Sequence, residues 1–248
     1  YAIACSLSIA VVNFITTSLI HRISTTSSML FPVLTISLMG FHIMIACFMG
    51  MKYLCDKKQL YLAPIAFAFT CSALLMLGTI GSYPDWLVCA QGREINQNDA
   101  LIFYFFRNVM MAVLFITSII LYRIRHITGH SRKIHGAVLS SCFIFISATL
   151  ILSWVHSSNS PLLSIEFIDN LTYTFTPLWH NRIGWLLIII WSLTLILMIG
   201  LTRLRNIFWY SGAFFCTAYI FTLLVLLSTV SGNAHSWNQA RLFETLST

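Results

Sequence analysis

The side chains in this sequence that are equipped for chemistry stand where charge is expensive. Arg107 interrupts the otherwise uncharged run from Leu101 to Tyr122, and no other long apolar run contains a charge. A guanidinium set in such a run needs a counter-charge, a watery cavity or a path for its long side chain back to the interface. On a helix, Asp99, Phe103 and Arg107 share one face at i, i+4 and i+8. At 1.5 Å per residue, however, the Asp99 carboxylate lies about 12 Å from Arg107 along the axis, two turns away and too far for an ideal direct partner.

A second polar cluster lies in Trp237-Asn-Gln-Ala-Arg241-Leu-Phe-Glu244, where Arg241 and Glu244 are i, i+3 neighbours on a helix. The two clusters together suggest an outward-facing network of Asp99, Tyr104, Arg107, Arg241 and Glu244. Its chemistry would be electrostatic pairing and not catalysis.

Other chemistries find less support. His21, His156, His180 and His235 fall near one set of span boundaries without an H-x-x-x-H spacing, and His42 is the one histidine well inside an apolar run. Interfacial hydrogen bonding is the expected role of the histidines, with a metal or haem site drawing on His156, His180 and His235 as the weaker alternative. Of the seven cysteines, Cys5, Cys47, Cys71, Cys142 and Cys216 sit in apolar runs, and Cys89 alone falls on the expected outer side, so no outer disulfide is expected. No Gly-rich phosphate loop, G-x-S-x-G motif or acidic cluster occurs. Neither a catalytic site nor a cofactor is expected in this segment.

The elements that position these residues follow from composition. Hydrophobic residues make up 58% of the chain and charged residues 8%, against roughly 25% charged in a soluble domain, so a water-facing surface could not be built. Apolar runs of about 20 residues match the length of a helix crossing a ~30 Å hydrocarbon core, and the strict alternation of barrel strands is missing. The expected fold is an all-α integral membrane protein, a polytopic bundle of seven complete transmembrane helices plus the start of an eighth. The expected spans are 1–20, 29–51, 60–81, 101–122, 137–156, 183–201 and 207–230, with the eighth starting near 241.

Loop charge orients the bundle. The loops after the second, fourth and sixth runs hold nine basic residues, namely Lys52, Lys57, Lys58, Arg123, Arg125, Arg132, Lys133, Arg203 and Arg205. The alternate loops hold only Arg22, Arg93 and Arg182, together with most of the acids. Positive residues stay cytoplasmic, which puts the N-terminus inside. Trp86, Trp154, Trp179, Trp185 and Trp237 gather near the outer boundary, where amphipathic rings favour the headgroup level. The formal charge of +7 is divided among short juxtamembrane loops, a pattern that points to topology and anionic headgroups and away from nucleic acid.

Asn96-Gln97-Asn98-Asp99 leading into Ile102-Phe103-Tyr104-Phe105-Phe106-Arg107, with Trp237, Arg241 and Glu244 at the last helix entrance, resembles the fourth class of membrane-associated sensor domain, which precedes GGDEF domains in bacterial signalling proteins. The layout of eight spans, a basic loop after the fourth and a larger outer loop before the sixth is also similar. The resemblance implies a sensing or structural role for Asp99, Tyr104, Arg107, Trp237, Arg241 and Glu244. It implies a multi-pass protein of the bacterial inner membrane, and a homodimer that responds to an unknown small ligand or membrane state. The parent protein would be a diguanylate cyclase or degenerate relative, whose GGDEF domain, using GTP and Mg, follows the eighth helix. A solute or ion transporter is the competing class. It would be expected to show matched Gly or Pro interruptions in two halves, whereas Pro32 and Pro64 have no later counterparts.

Overall fold

The computed structural model describes residues 30–82, 96–125, 132–157, 163, 165–169, 174–204, 206–228 and 234–248, and in the last helix the side chains of 238 and 240–248. Helix α1 (Leu30–Cys55), α2 (Leu62–Gly81), α3 (Gln97–Arg123) and α4 (Arg132–Val155) are followed by α5 (Gly184–Thr202), which is entered through a π-helical turn, Trp179–Ile183. Helix α6 (Ile207–Ser228) and α7 (Ala234–Ser247) complete the order. The only β pairing among the described residues is a single antiparallel bridge, Ile168 to Phe175.

Six of these helices, α1 to α6, are long and apolar enough to cross a membrane. The expected count of seven complete spans plus an eighth is therefore not what the described residues contain. The run 1–20 lies outside them, and α7, with 14 residues, is too short to be counted as a span. The last helix also begins at Ala234 and not near 241, so residues whose polarity suggested a loop form its first two turns. Two other helices likewise start ahead of their apolar stretches: α3 at Gln97 and α4 at Arg132. Helical hydrogen bonding continues through the headgroup layer, where polar side chains are tolerated. Asn96 caps α3, its side chain accepting from the Asp99 N–H at 3.1 Å.

Helix α3 is the axis of the bundle, packing against α2, α4 and α5, while α7 packs against α1 and α6. Of its spanning segment 67% is buried, against 22% for α1 and α4. Helices α4 and α5 instead turn Phe143, Ile144, Ile151, Ile189 and Ile196 outward, each more than 60% exposed. Large apolar side chains on that scale belong against lipid tails. Hydroxyls inside the spans are mostly satisfied by their own helix: Thr35, Thr117, Thr149 and Thr194 each donate to the carbonyl four residues back. Ser118 instead donates across the bundle to the Tyr61 carbonyl at 2.6 Å, joining α3 to the start of α2.

The segment before α5 folds back over the start of α3, and one amide holds it there. Asn98 Nδ2 donates to the Ile165 carbonyl at 2.7 Å, and its Oδ1 accepts from the N–H groups of Phe167 (2.7 Å) and Ile168 (3.2 Å). Phe167 is thereby buried between Phe105 and Trp179, with ring centroids 5.8 and 5.5 Å away. Trp179 itself is fully buried and so is not an interfacial anchor, unlike Trp154 and Trp185, which are more than half exposed. Replacing Asn98 by Ala leaves two buried backbone N–H groups without their acceptor, a loss of about 1–3 kcal/mol for such a group. Hydrogen exchange should show faster exchange around Phe167 and Ile168 while α5 and α6 keep their protection; unchanged protection of that segment would contradict this role for Asn98.

Candidate functional site

Arg107 and Glu244 meet in the interior of the bundle. Each lies ten residues from the start of its own helix, α3 at Gln97 and α7 at Ala234, which corresponds to an equal depth of about 15 Å at 1.5 Å per residue. Arg107 Nη2 donates to Glu244 Oε1 at 2.5 Å, and Arg241 Nη1 donates to Glu244 Oε2 at 2.7 Å. All three side chains are at most 1% exposed. Snorkelling is thus excluded for Arg107, whose guanidinium points to the core of the bundle and not to the interface.

Aromatic faces complete the enclosure. The Arg107 guanidinium carbon sits 5.0 Å from the Tyr104 ring centre and 5.8 Å from that of Tyr219, and the Arg241 carbon sits 5.6 Å from Tyr104 and 5.2 Å from Phe31. Ring quadrupoles attract cations at these separations, more strongly where water is excluded. They matter here because two guanidiniums share one carboxylate, which leaves the cluster one positive charge in excess. Among the described residues, Nε and Nη1 of Arg107, Nε and Nη2 of Arg241, and the Tyr219 hydroxyl have no hydrogen-bond partner. The cluster therefore keeps donor capacity beyond that used by its ion pairs.

Of the residues nominated from sequence, the structure brings Tyr104, Arg107, Arg241 and Glu244 together. Asp99 lies in the first turn of α3, and the carboxylate paired with Arg107 is that of Glu244. The side chains of Trp237 and His235 lie outside the described residues. His156 stacks on Phe106 at 6.0 Å, and its Nδ1 lies 2.8 Å from the Leu163 carbonyl, while His180 is part-buried in the π-helical turn. No group of three potential ligands that could hold a metal ion is found among the described residues.

Several polar ties of the bundle leave little trace in the sequence. His42 is fully buried, its Nδ1 2.8 Å from Ser72 Oγ, so its partner is in a neighbouring span and not at an interface. Asn108, adjacent to Arg107, accepts from Trp191 Nε1 at 3.0 Å and donates to the Tyr104 carbonyl at 2.9 Å. An arginine and an amide side by side in an apolar run were the available signal for Asn108. Tyr219 carried none, since a tyrosine in a span is unremarkable.

This arrangement is a buried ion-pair cluster set among helices long and apolar enough to span a membrane. The family model for the membrane-associated sensor, integral membrane domain (MASE4), matches residues 25–248, and the chain belongs to that family. No solved structure matches the chain.

The charge count sets an order among variants. Removing Glu244 leaves two buried guanidiniums with no counter-charge, whereas removing Arg107 leaves Arg241 and Glu244 as a balanced pair. Glu244→Gln should therefore cost about 3–5 kcal/mol, the scale for breaking a buried pair, and Arg107→Met clearly less. Thermal unfolding in detergent checks the order, and an Arg107→Met protein less stable than Glu244→Gln would contradict the charge count.

Proposed function

We propose that this membrane sensor domain is the regulatory module of a cyclic-di-GMP signalling protein, passing an outer-side or intramembrane stimulus through its last helix to a cytoplasmic GGDEF domain. The observation that carries this reading is the Arg107–Glu244 ion pair, which joins the most buried helix, α3, to α7. A stimulus that binds one arrangement of α3 better than another shifts the population of arrangements, and the ion pair makes α7 follow. On this reading 1–20 is the first span, α7 opens the eighth, and the N-terminus is cytoplasmic, as the loop charges suggest. Eight spans return the last helix to the cytoplasmic side of a bacterial inner membrane.

The path of that helix has support in the packing. Ser247 and Thr248 line a largely apolar cavity of about 370 Å³ together with Ile45, Phe48, Lys52 and Phe208. A helix extended past Thr248 would run along this cavity between α1 and α6. Because a GGDEF cyclase joins two GTP molecules across a dimer, the module would act as a homodimer that sets how two output domains meet, with GTP and Mg used only there. The sensor domain contributes no catalytic group.

The test is made on the full-length protein in its membrane. A Gly-Gly-Asp/Glu-Glu-Phe motif about a hundred residues after Thr248 is expected. Arg107→Leu should change cyclic dinucleotide output at least severalfold at unchanged protein abundance. Lack of the motif would sink the assignment to cyclic-di-GMP signalling, and unchanged output would reduce Arg107 to a structural residue.

A further inference from the structure

A second charged site lies at the opposite end of α3. Tyr122, Arg123, Arg125, Gly200, Thr202 and Arg203 line a cavity of about 310 Å³ where α3 and α5 end side by side. None of its lining residues is acidic. All three arginines are exposed, and the Arg125 guanidinium is held 4.5 Å over the Tyr122 ring.

The backbone at this point is unusual. Arg203 and Leu204 have φ of 53° and 47°, the left-handed region that glycine enters without steric penalty and other residues do not. The turn is fixed by the Arg203 N–H donating to the Ile199 carbonyl at 3.1 Å and by the Leu204 N–H donating to Thr202 Oγ1 at 3.3 Å. A helix end that needs only to stop would use glycine here. Instead the strained turn carries an arginine to the rim of a polar cavity that α3 supplies with two more.

We propose that this cavity is a binding site for the headgroup of an anionic phospholipid. Three permanently charged guanidiniums with no acid among them are matched by a phosphodiester, which guanidinium forks bind in bidentate fashion. The position selects the lipid as its source. Both flanking helices are membrane-spanning by length and composition, so their shared end lies at headgroup level, where basic pockets between spans take anionic headgroups. The inference goes beyond the sensory reading above and does not depend on it.

Gly200 provides a steric test without altering charge, because a Cβ added there meets nothing within 4 Å. Gly200→Leu should fold and fill the cavity. The full chain in neutral detergent is mixed with equal dioleoyl phosphatidylglycerol and dioleoyl phosphatidylcholine, and retained lipid is counted by native mass spectrometry. The wild-type protein should retain phosphatidylglycerol selectively. Arg203→Gln should weaken that retention about fivefold, the factor for one juxtamembrane cation, and Gly200→Leu should also weaken it, by filling the cavity, while Lys58→Gln, in the loop between α1 and α2, should not. Undiminished retention in the two cavity variants, or an equal loss in Lys58→Gln, would overturn the site in favour of general basic charge. Displacement of the lipid by soluble glycerol 3-phosphate at equal concentration would overturn the lipid as its source.

Discussion

A guanidinium in the middle of a helical bundle obliges the chain to bring a carboxylate to it, and here the carboxylate comes from 137 residues further along. Much of the architecture can be understood from that requirement. Helix α7 must enter from the same side as α3 and reach the same depth, because Glu244 has to arrive opposite Arg107. Arg241, one turn before Glu244, then enters the interior as well, and the excess positive charge is taken up by the faces of Tyr104, Tyr219 and Phe31. Desolvating two charges can cost more than their attraction returns, so the pair is better understood as fixing which helices meet, and at what register, than as a source of stability.

Around this pair the bundle is joined by neutral polar ties, each between two particular helices. Ser118 reaches the Tyr61 carbonyl, His42 meets Ser72, and Trp191 donates to Asn108. In a lipid environment apolar contact does not distinguish one helix neighbour from another, because tails are as apolar as side chains. Such ties therefore select the pairings. Helix α3 takes part in two of the three and in the ion pair, which makes it the element whose displacement the rest of the molecule would register.

The six spans of the described residues are legible in the sequence because charge poverty and run length act on every residue of a helix at once. Their ends are less so. Gln97 and Ala234 begin helices, yet polarity at those positions reads equally well as loop, since backbone hydrogen bonding leaves no trace in hydropathy. Arg107 could be recognised as costly from its setting, but its partner could not be settled by periodicity. Asp99 shares its helix face and Glu244 is remote in sequence, and local spacing is blind to contacts across the bundle. Trp179 misled in the same way: near a span end it resembles an interfacial anchor, while the packing of Phe167 and Phe175 against it buries it completely.

Arg107 and Glu244 act as one unit across α3 and α7. A double-mutant cycle on thermal stability in detergent, using Arg107→Met, Glu244→Gln and the double variant, tests it most directly. Residues in one ion-pair network should show a coupling energy of about 0.5–3 kcal/mol. The double variant should therefore be less destabilised than the sum of its single losses, and strictly additive losses would contradict the account.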